Sequence, residues 1–217
     1  MDNATIMNDA VSQHAVLMAD IREQEARLRH AKKLEAFDNA TPSLYRGKML
    51  CDVKIYTTGE ELKRQQRVKQ YLEQYVQRFD ECISQGKHLI FQGQPGTGKT
   101  LLGRVIAREL TEKHHGVVYY DFHELIEEFK ENNDMSFYRR PELFIVDEVN
   151  IEDKHASVKE KLFRVIDERY QWLRPMLLIT NNKQEVLEKQ VGEKFLRRLL
   201  EHGRVLTFDW ARFREKK

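Results

Sequence analysis

Apolar positions along the chain fall into two regimes. From about residue 8 to 37 there is no Gly or Pro, and Val16, Leu17, Ile21, Leu28, Ala31 and Leu34 recur at spacings near three, four and seven. That spacing predicts an amphipathic helix. The run ends in Asp38-Asn39-Ala40-Thr41-Pro42-Ser43, a cluster of turn formers in which Pro42 blocks helix continuation. A boundary is expected there, with residues 1–40 as a helical partner-binding segment and linker and 41–217 as the main domain. A detached helix of this kind needs a cover for its apolar stripe, supplied by its own domain or by a partner protein.

Beyond the boundary, a second helical pattern runs from about 60 to 84 and gathers Leu62, Tyr71, Leu72, Tyr75, Val76 and Phe79 on one face. The period then shortens. Four apolar runs, 88–92, 117–122, 143–146 and 176–180, predict strands, and a fifth is expected near 205–208. Helical patterns follow the first four at about 99–114, 123–131, 156–171 and 184–202. Strands alternating with helices of this length imply an α/β fold, a parallel sheet covered on both faces.

Composition changes this picture little. The 217 residues are 41% hydrophobic and 33% charged with a formal net charge of +2, the profile of a globular chain with a solvated surface. No apolar run approaches a bilayer span, and Met1-Asp2-Asn3-Ala4 lacks the layout of a secretory signal. Cys51 and Cys82 are far apart and suggest neither a disulfide framework nor a zinc site. A cytoplasmic location with no membrane partner is the economical expectation. Basic residues do gather late in the chain: Lys189, Lys194, Arg197, Arg198, Arg204, Arg212, Arg214, Lys216 and Lys217. Such an end is either a phosphate-binding surface or a solvated helix face.

The chemistry is concentrated after the first predicted strand. Gly93-Gln94-Pro95-Gly96-Thr97-Gly98-Lys99-Thr100 fits G-x-x-x-x-G-K-[ST] in full. Gly93 leaves the strand in a tight turn, and Gly96 and Gly98 let backbone N–H groups approach phosphate oxygens. Lys99 supplies charge to the β- and γ-phosphates, and the Thr100 hydroxyl is a hard ligand for Mg2+. The following helix, starting through Leu101, turns its positive end toward the anion. Further on, Leu143-Phe144-Ile145-Val146-Asp147-Glu148 is an apolar strand ending in two acids, where ligands of α/β sheets bind. Asp147 is the candidate Mg2+ ligand and Glu148 the group that polarises the attacking water. At the tip of the next strand, Asn181 is placed to orient water against the γ-phosphate and Asn182 to serve the turn as a helix cap.

These motifs, together with Arg174-Pro175-Met176-Leu177-Leu178-Ile179-Thr180-Asn181-Asn182 and the tail VGEKFLRRLLEHGRVLTFDWARFR at 191–214, resemble the DnaC-type helicase loaders and the related IstB-type ATPases, a compact clade of AAA+ proteins. The resemblance covers about residues 60 to 217. It implies an AAA+ P-loop ATPase domain with a short C-terminal lid behind a helical N-terminal segment. It assigns Asn181 as the sensor-1 residue and Arg198 as an arginine finger reaching the ATP of a neighbouring subunit, with Arg197 one register away. Arg214, after Trp210 and Phe213, falls at the sensor-2 arginine. A guanidinium suits both tasks because it stays charged and grips phosphate oxygens in a fork.

The resemblance implies ATP and Mg2+ as cofactors, and as partners a replicative hexameric helicase, single-stranded DNA and further copies of the chain through the ATP sites. An IstB-type regulator of transposition and, from another class, a P-loop small-molecule kinase are the rival readings. Phe137-Tyr138-Arg139-Arg140 sets aromatics beside positive charge, which is either a single-stranded DNA contact or a loop packed by its aromatics.

Overall fold

A computed structural model of the chain describes residues 3–131, 136–151 and 156–213. Its centre is a sheet of five strands, β1 (Leu89–Gly93), β2 (Val117–Asp121), β3 (Leu143–Asp147), β4 (Met176–Thr180) and β5 (Arg204–Phe208). They lie in the order β2-β3-β4-β1-β5, and every pairing is parallel. Side chains alternate across a strand, so each apolar run feeds two cores. Leu89, Phe91, Leu143, Ile145, Leu177 and Ile179 face one side, while Ile90, Phe144, Val146, Met176 and Leu178 face the other. β3 and β4 are buried along their whole length, which is why their sequences are unbroken apolar runs. β5 lies at an edge and alternates buried with exposed residues, so its signal in the sequence is weaker.

One face is covered by α2 (Gly59–Gln77), α3 (Phe79–Ser84) and α4 (Lys99–Glu112). The other carries α5 (Phe122–Glu131), α6 (Ser136–Arg139), α7 (Ala156–Gln171), α8 (Gln184–Val191) and α9 (Glu193–Glu201). Two expected helices are each broken in two. The 60–84 helix is interrupted at Arg78, whose backbone leaves the helical region at φ −110° and ψ 34°. The 184–202 helix is interrupted at Gly192, where φ is 87°, a conformation that side chains with a Cβ rarely adopt. That break frees α9 to lie against α7, where Phe163 and Phe195 stack with centroids 4.2 Å apart.

The N-terminal helix α1 (Asn3–Ala40), 38 residues long, takes in the first three of the expected turn formers and stops ahead of Pro42. Among the described side chains of α1, those of its last turns meet the domain. Phe37 packs on the core, Arg108 of α4 donates to Asp38 at 3.0 Å, and Lys33 Nζ donates to the His115 carbonyl at 3.0 Å. Nearer the N-terminus, Ile21 and Leu28 of the expected apolar stripe are exposed, and so is Met18 beside them. Apolar residues of α1 as a whole do not gather on one face, which corrects the expectation of an amphipathic helix. None of the helices among the described residues is long and apolar enough to cross a membrane. After β5, residues 209–213 make a short strap folded back over the start of α4.

The turn from α9 into β5 has no spare room. A Cβ on Gly203 would collide with the Leu199 carbonyl and lie 2.9 Å from that of His88, both backbone atoms. Gly203→Ala is therefore expected to lower the unfolding free energy by about 2 kcal/mol, read as a reduced urea midpoint.

Candidate nucleotide site

The loop between β1 and α4 is shaped by glycines at Gly93, Gly96 and Gly98, whose φ angles are 144°, 82° and 97°. A Cβ on Gly93 would run into the Phe208 carbonyl of β5, so at this position the edge pairing and the tight turn both require glycine. Around Gly98 a Cβ would meet nothing within 4 Å, leaving open space directly before the N-terminus of α4. Unpaired N–H groups of a helix start face an anion placed there. Gln94 and Pro95 are exposed. Thr97 is buried and fixed at both ends: its hydroxyl donates to the Gln94 carbonyl at 2.8 Å, and its own carbonyl accepts from Trp210 Nε1 at 3.0 Å. Thr100 and Leu101 are half-buried in the first turn of α4, Leu101 against the core.

Lys99 is 5% exposed, and its ammonium donates to the Gly93 and Gln94 carbonyls at 2.7 Å each. Burial pulls its pKa down to about 8, against the pull of the Asp147 and Glu148 carboxylates. A cation desolvated to this degree, with neutral carbonyls as its contacts, gains from any anion that enters the cradle. The residues therefore fit a polyphosphate.

Asp147 is buried at the end of β3. Its Oδ1 accepts from the Glu148 N–H at 2.8 Å and its Oδ2 from the Tyr119 hydroxyl at 2.5 Å. Glu148 has a left-handed backbone, φ 57°, which takes it out of the strand alternation and leaves it exposed. Partial burial, followed by the charges of Asp147 and Asp121, pushes its carboxyl above the usual range. The turn is anchored by Val149 N–H to the Ile179 carbonyl at 2.8 Å and by the Thr180 hydroxyl to the Val149 carbonyl at 2.8 Å. Among the described residues no group of three or more His, Cys, Asp or Glu side chains could hold a metal. Thr100 and Asp147 are two oxygen donors, which suits a Mg2+ that takes its other ligands from phosphate and water.

Asn181 stands exposed at the tip of β4. Asn182 does not cap α8, because the cap position is Lys183. Its amide instead donates to Asn150 at 3.3 Å and Gln190 at 3.1 Å, tying the two strand tips together. Arg198 forms an ion pair with Asp167 of α7 and lies over the Tyr170 ring at 5.4 Å, while Arg197 beside it is exposed. Arg214 lies outside the described residues.

The aromatic half of the 137–140 group is corrected by the packing. Tyr138 is fully buried with its hydroxyl on Glu168 at 2.8 Å, and Phe137 packs between Tyr120 and Phe129. Neither offers a face to a base. Arg139 is tied to Glu168 by two hydrogen bonds of 2.6 and 3.0 Å, whereas Arg140 is exposed to solvent. The pairing with Arg139, Tyr138 and Arg164 brings the Glu168 carboxyl down to about 2.

Sequence reading missed the clasp that closes the loop from outside. The Phe213 N–H donates to the Gly96 carbonyl at 2.9 Å. The strap carrying it is held by Tyr56, whose hydroxyl donates to the Ala211 carbonyl at 3.0 Å, and by Arg64, which donates to Asp209 at 2.9 Å. Tyr119 was missed as well. Nothing in a local pattern marks a tyrosine of β2 as a neighbour of Asp147.

A bound phosphate needs the charged form of Lys99, so ATP affinity is expected to fall as pH rises through about 8, by up to about tenfold per pH unit. Lys99→Arg keeps its charge over this range and is expected to lose the dependence. Titration of a fluorescent ATP analogue from about pH 7 to pH 10 measures both.

A family model described as "IstB-like ATP binding protein" matches residues 7–217. The chain is similar to the replicative helicase loader DnaC of Escherichia coli strain K12, 27% identical over 156 residues that make up 66% of this chain and 61% of that protein. It therefore spans less than two thirds of that relative's length. Among solved structures, the DnaC helicase loader superposes with a TM-score of 0.65 at 22% identity, covering 76% of this chain and 99% of the other. AMPPCP-bound DnaA from Aquifex aeolicus gives 0.59 at 17% identity, covering 76% and 50%. These structures share the α/β P-loop fold, with its parallel sheet and its phosphate loop at the head of α4. With a complete phosphate loop, two acids at the end of β3 and a family match over nearly its whole length, the chain belongs to the IstB-like ATP binding protein family.

Proposed function

We propose that this ATPase is a loader for a replicative hexameric helicase, placing it on single-stranded DNA in an ATP-dependent way. The observation that carries the reading is α1, a 38-residue helix anchored to α4 by its last turns while Met18, Ile21 and Leu28 stay exposed. A long helix displayed from an ATPase body with apolar side chains in solvent is a means of gripping a partner. The similarity to a protein named as a replicative helicase loader supports a helicase as that partner. Residues 1–40 form the gripping segment and 41–217 the ATPase domain in this reading.

ATP lies in the cradle of Gly93 to Leu101, with Mg2+ held by Thr100 and Asp147 and water polarised by Glu148 and oriented by Asn181. The arginine finger comes from another copy of the chain. Arg198, held by Asp167 within its own subunit, exchanges that carboxylate for the neighbour's phosphate, or the exposed Arg197 reaches it instead. Arg214 closes the site as the sensor-2 residue. Because the finger is supplied in trans, turnover by a single subunit is slow and rises on assembly. DNA contact relies on surface charge such as Arg140, since Phe137 and Tyr138 are occupied in the core.

The family description itself favours a second reading, an IstB-type regulator of transposition that engages duplex DNA and a transposase. Size-exclusion of the protein mixed with a replicative helicase, with and without ATP, separates the two. An ATP-modulated complex is expected, and a complex with a transposase in its place decides for the rival. Glu148→Gln is expected to lower ATP turnover about 100-fold while nucleotide still binds. A phosphate-release assay beside a binding titration checks this, and equal turnover would remove Glu148 from the chemistry.

A further inference from the structure

The carboxylate of Asp147 is held from two sides. One oxygen is tied to the N–H of Glu148 within the same turn. The other is tied across the sheet to Tyr119 of β2, with the phenol donating and the carboxylate accepting at 2.5 Å. The register explains the reach. Tyr119 pairs with Ile145 and Asp121 with Asp147, so Tyr119 and Asp147 lie on one face as diagonal neighbours, a separation that a tyrosine spans.

The ring itself is locked. The Arg104 guanidinium lies 3.6 Å from its centroid, and Arg104 stands one helical turn after Thr100, on the same face of α4. Among the described residues the buried Nε of Arg104 has no hydrogen-bond partner, and the guanidinium is held against the Tyr119 side chain. Gly103 leaves the passage open, since a Cβ there would lie 3.7 Å from the Tyr119 hydroxyl and 2.5 Å from Ile179 Cδ1.

We propose that Tyr119, braced by Arg104, is a positioning residue that fixes the rotation of the Asp147 carboxylate so that it can hold Mg2+ beside the phosphate cradle. The inference rests on the reading of Asp147 as a Mg2+ ligand. Free of the phenol, the carboxylate can turn about its Cβ–Cγ bond toward the Lys99 ammonium, which already feels its charge. Outer hydrogen bonds of this kind orient metal ligands and typically change metal affinity by about tenfold or more when removed.

The test is equilibrium binding, not turnover. A fluorescent non-hydrolysable ATP analogue is titrated in EDTA, and then Mg2+ is titrated at fixed nucleotide, for the unaltered protein, Tyr119→Phe, Asp147→Asn and the double variant. Tyr119→Phe is expected to raise the Mg2+ concentration at half-saturation about tenfold and to change binding in EDTA by less than about twofold. Asp147→Asn raises it at least as much, and the double variant adds nothing further, because the phenol acts only through that carboxylate. If Asp147→Asn leaves the Mg2+ response unchanged, the metal reading fails and the inference falls with it. If Asp147→Asn responds but Tyr119→Phe does not, or if Tyr119→Phe weakens binding equally in EDTA, the metal reading stands and the positioning role is overturned. Additive effects in the double variant overturn it too.

Discussion

A single buried cation organises the functional end of this molecule. The Lys99 ammonium sits in a space from which water is largely excluded, with two backbone carbonyls of its own loop as hydrogen-bond partners and two carboxylates close enough to act on it. An ammonium so placed is under-compensated, and burial shows this by lowering its pKa. Polyphosphate supplies the missing negative charge. The loop glycines, the start of α4 and the acidic end of β3 are arranged around that deficit.

The rest of the fold keeps these parts in register. β1 carries the loop and β3 carries the acids, with β4 paired between them. A shift of one residue in any of these parallel pairings would exchange the two apolar cores and move Asp147 to the wrong face. Buried polar anchors fix the strand ends. At the far end of the sheet Arg169, 1% exposed, donates to the carbonyls of Pro141, Glu142 and Pro175, which lead into β3 and β4. At the near end Thr180 and Asn182 tie β4 to the turn after β3. The strap of 209–213 closes the loop from outside, joined to Tyr56 and Arg64 ahead of and within α2. The segments before and after the sheet thus meet over the phosphate loop.

The contrast between Arg198 and Arg140 shows how residue type and residue role separate. Both are basic and both were candidates for phosphate. Arg198 is engaged with Asp167 inside its own chain, whereas Arg140 faces solvent. Likewise Phe137 and Tyr138 have the chemistry of base stacking but are spent on the core between β2, β3 and α7. Charge and aromaticity are properties of a side chain, and availability is a property of its surroundings.

What the sequence by itself determined is whatever depends on near neighbours along the chain. The phosphate loop is eight consecutive residues, each acting through its own backbone or side chain, and the apolar runs of β3 and β4 announce burial because both faces of a central strand must be apolar. Tertiary structure alone decided the rest: the break at Gly192, the inward turn of Tyr138, the link from Tyr119 to Asp147 and the strap over Gly96. Each of these joins residues far apart in the chain or depends on which face a neighbour already fills. Pattern along a sequence fixes local geometry, and only packing in space decides which distant groups share an atom's worth of room.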